Sequence, residues 1–584
     1  MLIKVINGIV YDPANGINGR KGEIWLQNGR VVYCKYDSTT SLSHFEAEPY
    51  FNAVDNPIID NSIIDNPIGS NRDRAEPDRV IDASNCIIMP GGIDIHAHIA
   101  GPKVNTARKL RPELQSQHTY SKRGEFRSGS GRITPSTFVT GYLYAGMGYT
   151  TVFDAAIPPL TARHAHEEFH DTPLIDKGFF VLIGNHCYAL QQIKEKRQDR
   201  LTAFAGWLLR STKGYALKLV NPGGVENWKH GDSHRTRLDT KVTGFDITPR
   251  EIIQSISQTA MDLKLPHPIH LHANQLGVPG NWQTTLETMV ALEGRKAHLT
   301  HIQFHSYGGS PDEPNSFASN VQPLINYVNS HDNLTIDVGQ VQFGQTTSMT
   351  GDGPLGYYLH QVTGKRWFNA ETELEAGCGI VPVEYKNKSL IHSIQWAIGL
   401  EWYLLVKNPW QISMSTDHPN GAAFLAYPEI IHLLMSKDYR REKLKELPES
   451  IRSRCSLWEI DREYSLYEIA IITRAAPARQ LGLTSKGHLG IGADADLTIY
   501  QQSREIEQMF ATPYYVIKSG EIIVDRGQLK SNSFGPTWWV SPEFDEDRLH
   551  DLSDWIEKWY SIDFKNYSVD SFYLSRGSKV INPK

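Results

Sequence analysis

Two histidines that are two residues apart, His96 and His98, end an apolar run that starts at Cys86 and is broken by Gly91 and Gly92. Residues two apart on a strand share one face, so both imidazoles would point to the same side. Two imidazoles that converge at a strand end are suited to zinc, which takes nitrogen ligands at about 2.0–2.1 Å. The pair alone does not establish a metal site, because short His-x-His strings also occur as structural histidines.

Further groups of metal-ligand type follow along the chain, each at the end of its own strand-like run. A hydrolytic metal site needs several nitrogen or oxygen ligands, an open coordination position and a carboxylate that accepts a proton from water. In a parallel barrel, such groups project from the carboxyl ends of separate strands onto one face. The pattern therefore predicts a hydrolytic metal site built from strand ends. Its candidate residues are Lys218, His270, His272, His298, His301, His305, Asp417 and His418.

Composition favours a soluble enzyme or a component of a complex. The 584 residues carry 59 basic and 65 acidic side chains, a net charge of −6, which argues against a protein that coats nucleic acid. The five cysteines are widely separated and contain no Cys-x-x-Cys pair, so no disulfide framework or cysteine metal site is indicated and a reducing cytoplasm is expected. The N-terminus has no signal-peptide core, and no apolar run approaches the roughly 20 residues of a membrane helix.

Three regions are predicted from the strand and helix patterns. Residues 1–88 contain short strands, with an Asn-, Asp- and Pro-rich stretch at 46–78 that is expected to be a mobile surface insertion. Residues 89–480 alternate strands with helices, the layout of an α/β protein with a (β/α)8 TIM barrel. Residues 481–584 return to short strands, so one small composite β domain is expected from both chain ends. The tail after Pro536 holds four of the 13 tryptophans and is predicted either to dock a partner or to be held on the barrel by them.

Several motifs connect this layout with known proteins. The chain resembles the metal-dependent amidohydrolase superfamily in the stretches Gly91-GIDIHAH and Gly492-ADADL and in the β domain built from both ends. Within that superfamily it is similar to the family of the A-type subunits of formylmethanofuran dehydrogenase, whose bacterial version belongs to the formyltransferase/hydrolase complex. The resemblance extends to about residue 530, and the insertion at 46–78 departs from it. The stretches that carry the closer similarity are His96-AHIAGPKVN, Thr134-PSTFVTGYLYAGMGYTTVFDAA, His270-LHANQLGVPGN, His301-IQFHSYG and Ser415-TDHPNG.

The resemblance implies a centre of two divalent ions, for which the nitrogen and oxygen ligands favour zinc. Lys218 would be N6-carboxylated, because the added carboxylate can bridge two ions, whereas an unmodified lysine would repel metal and leave a mononuclear site. Asp417 would also move the proton of the attacking water. The implied ligands are His96, His98, Lys218, His272, His301 and Asp417.

Other polar residues receive supporting roles. His270 is expected to support the ligands or to pack in the core, because the superfamily pattern assigns one ligand to this strand. His418 is expected to hydrogen-bond Asp417. Basic residues after His98 are expected on a loop at the barrel mouth, where they would attract the anionic tail of a methanofuran-type carrier. The predicted substrate-binding residues are Asn274, His305, Lys103, Arg108 and Arg111.

The resemblance implies that the chain hydrolyses, or reversibly forms, the N-formyl bond of formylmethanofuran or a related one-carbon carrier, releasing formate. It would act within a complex, and a different component would perform any redox step, because nothing in this chain supports redox chemistry. Two alternatives remain open. One is a cyclic amide hydrolase of the hydantoinase or dihydroorotase type, which would share the ligands. The other is a non-catalytic scaffold that keeps the amidohydrolase fold without its metals.

Overall fold

The computed structural model describes residues 1–37, 76–231, 235–369, 379–574 and 576–583. The insertion predicted at 46–78 therefore lies, apart from its last three residues, outside the described residues. The described chain forms a parallel barrel surrounded by helices and a sheet made from both chain ends, as predicted. Among the helices of these ranges, none has the length and apolar character needed to cross a membrane.

The barrel contains eight parallel strands within the described ranges. Each strand pairs with the next in chain order, and a bridge between Ala97 and His418 joins the last strand to the first. All strands run in the same direction, so the polar groups at their carboxyl ends meet at one rim. In chain order, barrel strands β1 to β8 are Gly92–Ala97, Tyr149–Ile157, Asp176–Leu182, Ala216–Val220, Ile269–His272, Ala297–Leu299, Leu334–Asp337 and Ile412–Ser413.

Helices return the chain from the end of one barrel strand to the start of the next. The helix Thr137–Gly146 begins directly after Ser136, which occupies its N-cap position. The α-helices of the described ranges are Pro102–Leu110, Pro112–Ser116, Thr137–Gly146, Ala162–Asp171, Cys187–Lys194, Gln198–Thr212, Gly224–Lys229, Pro249–Asp262, Trp282–Ala291, Gln322–Val328, Gly353–Thr363, Leu390–Leu405, Tyr427–Met435, Lys437–Lys445, Leu466–Ala470, Ala476–Leu481, Ile506–Ala511 and Leu552–Trp559.

A mostly antiparallel sheet, the end sheet, joins the two ends of the chain. Leu497–Gln501 pairs antiparallel with Cys86–Pro90, the strand that leads into the barrel. This pairing confirms the sheet expected from both chain ends, and the sheet has its own apolar core. Across the sheet, the strands are Gln528–Leu529, Glu521–Asp525, Tyr515–Lys518, Leu497–Gln501, Cys86–Pro90, Leu2–Asp12, Ile17–Gln27 and Arg30–Tyr36, with Arg79–Asp82 parallel to Leu2–Asp12.

The C-terminal tail packs against the barrel. The strand Thr537–Val540 pairs parallel with β3. The strand Ser578–Ile581 in turn pairs parallel with Thr537–Val540. Trp538 is buried, and Trp555 packs edge-to-face against a tyrosine of a barrel helix. These two tryptophans hold the tail on the barrel, whereas Trp559 is 62% exposed. The alternative in which tryptophans hold the tail on the barrel therefore applies to Trp538 and Trp555.

A buried ionic cluster fixes the end sheet to the start of β3. The ammonium of Lys486 lies 2.7 Å from Asp176 and 2.6 Å from Asp496. Asp494 lies 3.2 Å from the same ammonium, and Lys518 lies 2.9 Å from Asp176. The two aspartates of the Gly-Ala-Asp-Ala-Asp motif therefore bind lysine. Because ammonium groups already neutralise the three carboxylates, this cluster is a structural joint rather than a cation site.

We expect Lys486→Met to lower the free energy of unfolding by about 3–5 kcal/mol, because removing one partner of a buried ion pair leaves uncompensated charge. The matched control is Lys437→Met, since Lys437 pairs with Asp461 at the surface, where such a pair contributes about 0–1 kcal/mol. Chemical denaturation followed by circular dichroism measures both changes. Equal stability of the two variants would contradict the structural role of the cluster.

Candidate metal centre

Three predicted ligands converge around one carboxylate oxygen at the barrel rim. Asp417 Oδ1 lies 2.9 Å from His96 Nε2 and 3.2 Å from His98 Nε2. One donor atom from each of His96, His301 and Asp417 lies within 4.8 Å of the other two. The separations of 2.9 and 3.2 Å fit donor atoms that share an ion at bond lengths of about 2 Å.

The remaining predicted ligands join this group from β4 and β5. The ring centroid of His301 lies 4.7 Å from that of His272 and 5.2 Å from that of His96. Lys218 pairs in register with His270, below the ends of β4 and β5, and its long stem carries Nζ to 3.4 Å from Thr300 Oγ1. The structure thus brings all six predicted ligands together, and each is buried.

Two of these residues have a strained backbone. His301 has a φ of 34° and Asp417 a φ of 49°, in the left-handed region that residues with a side chain rarely adopt. Strain of this kind tends to be retained where a side chain must be aimed at a functional site. Gly339 allows the close approach, because a Cβ at that position would lie 2.5 Å from the Cβ of His301.

The charges at the rim are strongly coupled. Burial favours neutral His96, but the carboxylates of Asp337 and Asp417 overcome this effect and raise the pKa of His96 to about 9. Burial alone would raise the pKa of Asp417, and the imidazoles of His96 and His98 instead lower it below its ordinary value. Burial lowers the pKa of Lys218 to about 7, against the opposing effect of the two carboxylates. The carboxylate of Asp417 and the imidazole of His96 thus stabilise each other's charged form.

Two carboxylates at the rim were not predicted from the sequence. Asp337 Oδ2 lies 3.1 Å from His96 Nδ1, and Asp337 Oδ1 accepts a hydrogen bond from the backbone N–H of His301 at 3.0 Å. Asp154 accepts the two backbone N–H groups that follow His98, at 2.8 and 3.0 Å. Each carboxylate orients the segment that carries a predicted ligand. One feature of the sequence points to both carboxylates, namely their position at the ends of the strand-like runs Tyr149-TTVFDAA and Leu334-TIDVGQ.

A third carboxylate, Asp352, enters from an insertion after β7. Its Oδ2 lies 3.2 Å from His272 Nε2, and its Oδ1 accepts a hydrogen bond from Asn221 Nδ2 at 3.1 Å. The insertion contains the antiparallel strands Gly344–Thr350 and Gly379–Tyr385. No local pattern marks Asp352, because it lies outside the barrel strand ends.

The prediction that the basic residues after His98 lie on a loop is wrong. Pro102 starts the helix Pro102–Leu110, a position that suits its fixed φ and missing N–H. Lys103 is buried and donates to a backbone carbonyl at the end of β2 at 2.8 Å. Arg108 pairs with a glutamate of a neighbouring helix at 2.9 Å, and Arg111 pairs with a nearby glutamate at 2.6 Å. Their charges are therefore engaged within the fold.

The other two predicted substrate-binding residues, Asn274 and His305, differ in their surroundings. Asn274 Nδ2 donates to Asn221 Oδ1 at 2.9 Å and to a backbone carbonyl at 3.0 Å, so it fixes the segment after β4. His305 is buried, with its ring centroid 5.4 Å from that of His301 and 5.5 Å from that of His272. Neither of its ring nitrogens has a hydrogen-bond partner in the described part of the chain. Of these candidates, His305 is the one beside the predicted ligands.

The expected hydrogen bond from His418 to Asp417 is replaced by two other contacts. The ring nitrogen Nδ1 of His418 accepts a hydrogen bond from the backbone N–H of Phe424 at 3.2 Å. Asn420 Nδ2 donates to Asp417 Oδ1 at 2.9 Å. Asn420 therefore provides the orienting contact, since its amide reaches back three residues.

Comparison with known proteins identifies the family. The profile described as the amidohydrolase family matches residues 79–524. The chain is 43% identical to "Protein FwdA" of Methanocaldococcus jannaschii, covering 97% of each chain. It is 34% identical to the A-type subunit of the formyltransferase/hydrolase complex Fhc of Methylorubrum extorquens, covering 93% of this chain and 92% of that protein. A chain in the crystal structure of the formyltransferase/hydrolase complex (FhcABCD) from Methylorubrum extorquens with methylofuran aligns with a TM-score of 0.88 and 31% identity, covering 100% of both chains. The protein therefore belongs to the amidohydrolase family.

Proposed function

We propose that this chain hydrolyses, or in reverse forms, the N-formyl bond of a formylmethanofuran-like carrier, with formate as the other product. One observation carries the proposal. The fold matches, over its full length, a chain of a formyltransferase/hydrolase complex solved with methylofuran, and the predicted ligands His96, His98, His301 and Asp417 lie together at its barrel rim. We place the chain, like that relative, in a complex with other subunits.

The donor set fits divalent metal ions. Asp417 Oδ1 lies against the Nε2 atoms of both His96 and His98, and the buried Nδ1 of His301 has no partner within the described residues. Nitrogen and oxygen donors without thiolate are compatible with zinc. When bound, two such ions would act as Lewis acids toward an amide carbonyl and would acidify a water molecule.

Lys218 has the environment that carboxylation requires. Its pKa of about 7, lowered by burial, leaves a substantial neutral fraction of the amine near neutral pH. A neutral amine adds its lone pair to the carbon of carbon dioxide and releases one proton, which gives an N-carboxylate. The product exchanges a cation for an anion with two oxygens, the form that can bridge two ions.

Asp417 is positioned to move the proton during hydrolysis. Because contacts with His96 and His98 hold its pKa low, it is ionised near neutral pH and can accept a proton from water. Donation of that proton to the departing nitrogen completes the exchange of the C–N bond for a C–O bond. His305, which has no hydrogen-bond partner among the described residues and lies beside the predicted ligands, would orient the formamide.

The two alternative functions are less well supported. A hydantoinase-type enzyme would share the ligands, but the high full-length similarity is to the formyltransferase/hydrolase chain. A non-catalytic scaffold would have no reason to retain six converging ligand side chains together with the strained φ values of His301 and Asp417.

The substrate proposal is tested by comparing substrates on the zinc-loaded complex. We expect formate release from an N-formylated methanofuran-type amine at a kcat/KM at least 100-fold above that for opening of hydantoin or dihydroorotate rings. A pocket that hydrogen-bonds its substrate typically rejects an analogue lacking those groups by about 10⁴–10⁵-fold, so this threshold is conservative. Coupled formate detection and ultraviolet absorbance measure the two reactions. Faster ring opening than formate release would favour the cyclic amide alternative.

A further inference from the structure

Imidazoles fill the barrel interior directly below the predicted ligands. A barrel of this type usually packs branched apolar side chains in such layers. Here His267, His270 and His298 lie there, each fully buried. The ring of Phe180 covers His267 and His270, with centroid distances of 5.1 and 4.4 Å. Buried polar groups in this setting must find their partners within the protein.

The partners form a chain of hydrogen bonds that ends at a predicted ligand. His267 Nδ1 lies 2.7 Å from the backbone oxygen of Gln480. His267 Nε2 lies 3.0 Å from His270 Nδ1, and His270 Nε2 lies 3.0 Å from His96 Nδ1. We call His267 and His270 the histidine relay. It links the bottom of the barrel to the metal centre.

The direction of this chain follows from its first acceptor. A backbone oxygen can only accept, so His267 Nδ1 must donate to Gln480. Burial lowers the pKa of His267 to about 3, so the ring is neutral and its Nε2 accepts from His270 Nδ1. Asp337 Oδ2 lies 3.1 Å from His96 Nδ1 and can only accept, so His96 Nδ1 carries a proton and His270 Nε2 is left to accept from it. His96 Nε2, which faces Asp417, is therefore the nitrogen available to a metal ion.

The carboxylate of Asp337 has other donors besides His96. The same oxygen, Asp337 Oδ2, lies 3.1 Å from His298 Nε2, and Ser415 donates to the other carboxylate oxygen at 2.6 Å. Asp337 thus accepts hydrogen bonds from several donors. His270 Nε2, in contrast, makes its short contact, at 3.0 Å, with His96 Nδ1.

We infer that the histidine relay positions His96 for metal binding by holding its proton on Nδ1 and its lone pair on Nε2. The inference rests on the proposed metal centre. In the opposite tautomer, an N–H would point at the ion and that bond would be lost. Partners of this kind that orient metal-ligating histidines typically change metal affinity by about 10–100-fold when removed.

The test is zinc binding by the full chain, measured by competition with a chelating dye in the presence of bicarbonate. We expect His270→Leu to weaken zinc binding by about 10–100-fold. His270→Gln, which keeps one donor and one acceptor, should restore binding to within about threefold of the wild type on the same scale. The matched control is His166→Leu, because His166 is a fully buried histidine that bonds to the backbone oxygen of Thr212, away from the rim. This control should leave zinc affinity unchanged.

The pair His267→Leu and His267→Gln repeats the comparison one hydrogen bond further from the metal, in case His270→Leu does not fold. Wild-type affinity in folded His270→Leu or His267→Leu would overturn the inference and leave the metal centre intact. Equal loss in the Leu and Gln variants would also overturn it, since packing alone would then explain the loss. A wild-type chain that binds no zinc would overturn both the inference and the proposed function.

Discussion

The substitution Asp417→Asn is expected to lower kcat for formamide hydrolysis by about 10²–10⁴-fold, the usual contribution of a positioned acid–base group, and further if a metal bond is lost. The physical reason is that asparagine keeps the size of the side chain but cannot accept a proton. Its amide would also place an N–H near the Nε2 atoms of His96 and His98. Steady-state formate release measures kcat, and zinc content separates loss of the proton acceptor from loss of a ligand.

Asp352→Asn is the matched control for this variant. Asp352 is also a buried rim carboxylate that contacts a histidine, but its partner is His272 and no role in proton transfer is proposed for it. We expect a loss of about 10–100-fold, the usual effect of removing a partner that orients a metal-ligating histidine. Near-normal turnover in Asp417→Asn would mean that another group accepts the proton.

The substitution Lys218→Ala is expected to abolish binding of the second metal ion and, with it, formate release. Alanine removes the group on β4 that would supply the bridging carboxylate, so the remaining ligands can hold at most one ion firmly. Carbon-13 bicarbonate and NMR spectroscopy should show a carbamate carbonyl in the wild-type chain but not in the variant. A short-chain carboxylic acid added to Lys218→Ala should restore part of the metal content, because it supplies the missing oxygens.

Lys177 provides a demanding control for carboxylation. It is a second buried lysine whose pKa burial lowers to about 7, but its Nζ donates to the backbone oxygens of Thr172 and Gly535 at 2.9 Å each. It lies near the amino end of β3, away from the rim. We therefore expect Lys177→Met to retain the carbamate signal. A signal that persists in Lys218→Ala and disappears in Lys177→Met would contradict the proposal.

The barrel and the convergence of its strand-end residues could be predicted because both follow from local patterns. An apolar run that ends in His96 and His98, or in Asp417, marks the carboxyl end of a parallel strand, and these ends share one rim. Asp154 and Asp337 end runs of the same kind, so the signal for them was present. The sequence alone does not assign them to the site, because a carboxylate at a strand end also occurs as a simple capping group.

The contacts that were missed depend on residues far apart in sequence. Arg108 could be interpreted as free because its partner, Glu168, lies 60 residues later. The relay from His267 through His270 to His96 depends on the register of β5 against its neighbours and on the closure of the barrel. Asp352 depends on how the insertion after β7 folds back over the rim. No local sequence pattern indicates any of these three contacts.

The most direct test of the binuclear centre is crystallography of the zinc-loaded chain, with anomalous data collected at the zinc absorption edge. We expect two anomalous peaks about 3.5–4 Å apart, the usual separation in two-metal sites. They should be bridged by extra density on the Nζ atom of Lys218, with His96, His98, His272, His301 and Asp417 within bonding distance. A single peak, or two peaks beside an unmodified Lys218 that points away from them, would contradict the account.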